Sequence, residues 1–77
     1  MSTKFGNWIL SYGVDNVASA LRQVSPRAGR TPRAVRYWLK GSHEPQRECI
    51  RGIVKIARGE VTTDDVIMHF DTVRQSR

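Results

Sequence analysis

A chain of 77 residues makes one domain, able to bury only about 60% of the surface its unfolded form exposes, so self-association or a bound partner is expected to add stability. Thirteen Lys and Arg oppose seven Asp and Glu, and ten of the basic residues fall between Arg22 and Arg58, where Glu44 and Glu48 are the only acids; that segment carries +8 and the remainder −2. Charge so concentrated points to an anionic partner, while the lack of an apolar run near about 18 residues and of a signal-peptide pattern argues against a membrane span and predicts a cytoplasmic protein.

The chain reads as an all-α, five-helix domain over residues 1–74, with a frayed tail at 75–77. Ser2 or Thr3 can cap a first helix whose Phe5, Trp8, Ile9 and Tyr12 share one face before Gly13 stops it. Asp15 is the expected N-cap of a second helix, with Val14 placed for a hydrophobic staple and Val17, Ala18 and Leu21 turned inward. Residues 23–30 follow as an extended turn, because Pro26 and Gly29 break helical continuation.

Thr31 followed by Pro32 is a strong helix start, and Gly41 closes that third helix. Its inward stripe is Val35, Trp38 and Leu39, leaving Arg33, Arg36, Tyr37 and Lys40 outward. Pro45 is expected to open a fourth helix, with Cys49 or Ile50, Ile53, Val54, Ile56 and Ala57 as its apolar face and Gly59 as its end. Arg47, Arg51, Lys55 and Arg58 recur on that helix as one solvated face. Thr62 and Asp65 resemble a capping box opening a fifth helix, whose apolar residues are Val66, Ile67, Phe70 and Val73.

Two segments, Val17-Ala-Ser-Ala-Leu21 and Thr31-Pro-Arg-Ala-Val-Arg-Tyr-Trp-Leu-Lys-Gly41, resemble the helix-turn-helix of phage Cro-like repressors and YdaS-type antitoxin regulators. Trp8 to Gly13 before the motif and Val61 to Val66 after it are similar too, so the likeness runs over nearly the whole chain. It implies that the second helix braces the unit on the DNA backbone while Thr31 to Lys40 enters the major groove. One departure is the turn, about three or four residues in the family and eight here between Arg22 and Thr31. Either an insertion enlarges it, or Ser25 and Gly29 take the family's small-residue positions and Pro26 falls inside a helix; the interior-proline cost of about 3 kcal/mol favours the insertion.

A sequence-specific double-stranded DNA-binding repressor is therefore expected, acting on a palindromic operator in a bacterial host, with Thr31, Arg33, Arg36 and Tyr37 as base readers. An arginine fork matches the two acceptors of a guanine edge; the bland reading is that both arginines only hold phosphates. Tyr37 suits a thymine methyl or a phosphate. Arg22, Arg27, Arg30, Lys40, Ser42 and His43 are the expected backbone contacts, although Arg27 and Arg30 also fit the simpler role of keeping an exposed loop soluble. Val66, Ile67, Phe70 and Val73 are the candidate homodimer interface, against the plainer alternative that they pack inside their own domain.

Trp8 and Trp38 fall on core stripes, and Cys49 in an apolar pattern behaves as a small hydrophobe. His43 and His69 lack metal-ligand spacing with Cys49, and no catalytic motif is present, so neither a metal, a cofactor nor an enzyme is expected. Two other readings stand beside the repressor. One is an antitoxin-like regulator masking a toxin protein with its C-terminal apolar face; the other is a basic RNA-binding module, which the inward aromatics disfavour.

Overall fold

The computed structural model describes residues 3–24, 26–27 and 29–75, apart from the Gln75 side chain, and folds them as five helices with no strand among them. No described helix is long and apolar enough to cross a membrane. Ser2, Ser25, Ala28 and the tail residues 76–77 lie outside the described residues, while Gln75 is the last residue of the fifth helix.

Helix α1 (Lys4–Tyr12) is capped by Thr3, whose hydroxyl accepts from the Gly6 N–H at 3.0 Å. Gly13, at φ +100°, gives its N–H to the Ile9 carbonyl and takes the Val17 N–H on its own carbonyl. One glycine thus ends α1 and starts α2 (Val14–Val24), so Asp15 is not the N-cap but sits in the first turn, where its carboxylate faces the positive end of the helix dipole. Asn16 donates to the Tyr12 carbonyl and satisfies one of the last acceptors of α1. Helix α2 also runs two residues past Arg22, through Gln23 and Val24, and stops short of Pro26, which cannot continue a hydrogen-bonded turn. Residues 25–30 therefore link the helices, fewer than the eight anticipated but more than a three- or four-residue turn.

Helix α3 (Pro32–Lys40) begins as its sequence dictates: the Thr31 hydroxyl accepts from the Ala34 N–H and Pro32 occupies the first turn. At its end Gly41 is left-handed, with its N–H on the Trp38 carbonyl and the Ser42 N–H on the Tyr37 carbonyl, a Schellman closure.

Helix α4 (Arg47–Ala57) starts after Gln46, not at Pro45. Pro45 is buried instead beside Ile50, Val66 and Phe70, so its ring serves as packing rather than as a helix opener. Arg58 ends α4 in the left-handed region at φ 50°, one residue before Gly59. Helix α5 (Thr63–Gln75) opens on a complete capping box: the Thr62 N–H donates to the Asp65 carboxylate at 2.9 Å and the Asp65 N–H to the Thr62 hydroxyl at 3.3 Å. The Thr62 backbone donor foremost, and the Thr62 hydroxyl, which also donates to the carboxylate, hold the Asp65 carboxyl below its ordinary range.

Helix α2 packs on α1, α3 and α4, and α5 packs on α1 and α4, so the five helices close around one core of Phe5, Ile9, Leu21, Val35, Ile53 and Val66. Phe5 lies at its aromatic centre, with its ring centroid 6.2 Å from Trp8, 6.4 Å from Phe70 and 5.3 Å edge-on from His69. Cys49 is fully buried, and burial pushes its thiol up, which suits a small core hydrophobe and not a reactive nucleophile.

Candidate nucleic-acid interface

The periodicity of α3 decides which side chains reach outward. Val35 and Trp38 are buried against the core and Leu39 is half-buried, so rotation of the helix is fixed. Arg33, Arg36, Tyr37 and Lys40 consequently stand in solvent on the opposite side. Thr31 is exposed at the first turn with its oxygen committed to the cap. Among the described residues neither Arg33, Arg36 nor Lys40 makes an ion pair, which leaves their donors open to an external anion. Tyr37 and His43 lie with ring centroids 4.9 Å apart, so the loop after α3 steadies the one outward aromatic of the helix.

The residues expected on the DNA backbone divide. Arg22, Arg27, Ser42 and His43 are exposed, and among the described residues neither Arg22 nor Arg27 makes an ion pair. Arg30 is half-buried and already occupied: its guanidinium donates to the carbonyls of Arg27 at 2.9 Å and Gly29 at 2.7 Å, and to the Gln46 side-chain oxygen at 3.2 Å. Arg30 therefore ties the enlarged turn to the start of α4, and Gln46 makes no side-chain cap because its amide oxygen is turned to Arg30. Its part at this surface is to shape the turn that carries Arg27. Pro26 and Gly29 flag the turn, but nothing local in sequence flags the reach from Arg30 to Gln46.

His69, which lacks metal-ligand spacing in the sequence, is the buried polar centre beneath this surface, 2% exposed. Its Nε2–H donates to the Trp38 carbonyl at 2.8 Å, since a carbonyl can only accept. In the tautomer so fixed, the Thr3 hydroxyl donates to Nδ1 at 2.5 Å. One imidazole thus joins the cap of α1, the body of α5 and the last turn of α3. Gly41 adds a second anchor, because a β-carbon there would come 2.3 Å from Val73 Cγ1. Helix α3 is held from below by α5 as well as from the side by α2.

Three of the four residues expected at a dimer interface are consumed by this packing. Val66, Phe70 and Val73 are 1%, 3% and 8% exposed inside the domain, and Ile67 alone faces solvent. The face of α5 toward the chain's own core was broader than its width in sequence suggested, because α1, α3 and α4 all present surface to it. Arg47, Arg51, Lys55 and Arg58 are all exposed on α4. Among the described residues no three His, Cys, Asp or Glu side chains gather where they could hold a metal ion. No family model matches the chain, and neither a characterised relative nor a solved structure similar to it was found.

Proposed function

We propose that the chain is a double-stranded DNA-binding transcriptional repressor of the Cro-like helix-turn-helix kind, which occupies an operator and excludes polymerase from it. The observation that carries this reading is α3 itself. Its inner face is locked by Val35 and Trp38, while its outer face offers Arg33 and Arg36 one turn apart, in no ion pair among the described residues. A helix so held can enter a major groove without losing orientation, and its arginines have the fork geometry for guanine edges. Thr31 and Tyr37 extend the reading surface, and Lys40, Arg22, Arg27, Ser42 and His43 flank it as phosphate contacts.

A toxin-masking role has lost the surface on which it rested, since Val66, Phe70 and Val73 lie in the core. An RNA-binding role is disfavoured because Phe5, Trp8, Trp38 and Phe70 are buried, leaving Tyr12 and Tyr37 as the exposed Tyr, Trp or Phe rings among the described residues. Two copies on two half-sites remain the economical arrangement, because one such module covers too little DNA for tight specific binding.

Selection of random duplexes by gel shift identifies the operator, and variants then assign the roles. Arg33→Ala and Arg36→Ala should each lose roughly 1 to 3 kcal/mol on the operator and much less on scrambled duplex. Lys40→Ala should weaken both duplexes alike. Failure to enrich any sequence, or equal losses on both duplexes for both arginines, removes the specific-repressor reading.

A further inference from the structure

Two exposed surfaces of this chain complement each other in shape class and in sign. On α5, Asp64, Ile67, Met68 and Asp71 recur at spacings of three, four and seven residues and so share one face. Ile67 is 51% and Met68 63% exposed, an aliphatic pair flanked along the helix by two carboxylates. At the other surface, α1, α2 and the end of α4 enclose an open cleft of about 670 Å³, floored by Trp8, Tyr12, Val24 and Ile56. Lys55 and Arg58 stand on its rim, exposed, with Glu60 as the single acid there, and Arg51 continues the basic ridge one turn back along α4.

None of Asp64, Asp71, Lys55 and Arg58 is in an ion pair among the described residues; the pairs present use Lys4 with Asp65 and Arg74 with Glu44. We infer that the acid-flanked face of α5 docks into the base-rimmed cleft of a second copy of this chain. The two surfaces share no residue, so a chain can offer both at once. Direct α5 to α5 pairing is disfavoured, because it would set Asp64 and Asp71 against their own copies. Charge also selects against docking the cleft on the arginine-rich side of α3. The contact is small and has a polar rim, so it belongs to the weak class of interfaces and gains its effect when two copies are held on one ligand.

This goes beyond the DNA-binding reading and is measured without DNA. Amide NMR spectra of the wild-type chain, recorded between about 20 μM and about 1 mM, should shift with concentration at both surfaces, since weak association falls in that range. Lys55→Glu with Arg58→Glu, or Asp64→Lys with Asp71→Lys, should each weaken self-association by about tenfold or more. Mixing the two charge-reversed chains should restore it, because each reversed surface then meets its opposite. That rescue also shows both variants folded, and the wild-type dilution needs no variant at all. No concentration dependence, shifts confined to one surface, self-association that survives either reversal, or reversed chains that stay apart on mixing would each overturn the proposal, and none of these outcomes bears on whether the protein reads DNA.

Discussion

His69 makes contacts that join residues 66 and 31 positions away in the chain, at Thr3 and Trp38. Replacing it with alanine strands the buried Trp38 carbonyl and opens a cavity beside Phe5, so His69→Ala should cost about 3 kcal/mol. For a chain this long the total stability is on the order of 4 to 12 kcal/mol. Urea unfolding checks the loss; a change below about 1 kcal/mol would mean that water replaces the ring at little cost. The residue's role was illegible in sequence for a physical reason. A buried histidine is recognised by its partners, and neither Thr3 nor the Trp38 carbonyl stands near it along the chain. Val35, Trp38 and Cys49 were legible because helical periodicity alone places them inward. Arg30 shows the converse, a surface cation by composition whose geometry spends it on carbonyls of its own turn.

Helix ends separate what the backbone requires from what packing requires. Gly41 and Gly59 both have positive φ, at 77° and 87°, but only Gly41 has a neighbour where a β-carbon would go. Gly59→Ala should therefore cost about 1 kcal/mol, the left-handed penalty alone. Gly41→Ala should cost about 3 kcal/mol or more, since Val73 must also move and the overpacking adds to that penalty. Equal urea midpoints for the two variants would show that α5 yields freely beneath α3. All five helices were legible as elements, because apolar spacing marks each and the expected caps at Thr3, Thr31 and Thr62 are the observed ones. Boundaries failed where a backbone group or a distant side chain did the capping. Gly13 supplies a carbonyl in place of the Asp15 side chain at α2, and Arg30 holds Gln46 at α4 while Pro45 goes into the core.

At the scale of the whole molecule, the chain holds +8 between Arg22 and Arg58 and −2 elsewhere, so it should orient before it touches a polyanion. If each of two copies makes about four phosphate contacts, the log-log salt slope of duplex binding should be on the order of −7. Fluorescence anisotropy across a salt series measures it, and a flat response would rule out phosphate neutralisation as the main attraction. The charge asymmetry was plain in sequence, whereas the exposed aliphatic pair of α5 emerged only once Val66, Phe70 and Val73 had been taken by the core. The joint at His69 also bears on how the chain is made. Translation delivers α3 by Lys40, but the Trp38 carbonyl waits for His69 and Gly41 waits for Val73. A nascent chain halted in α4 thus carries every outward arginine of α3 on a helix still missing its underside. The ribosome must release α5 before those side chains are held as a unit, so the outward face of α3 becomes fixed late in synthesis.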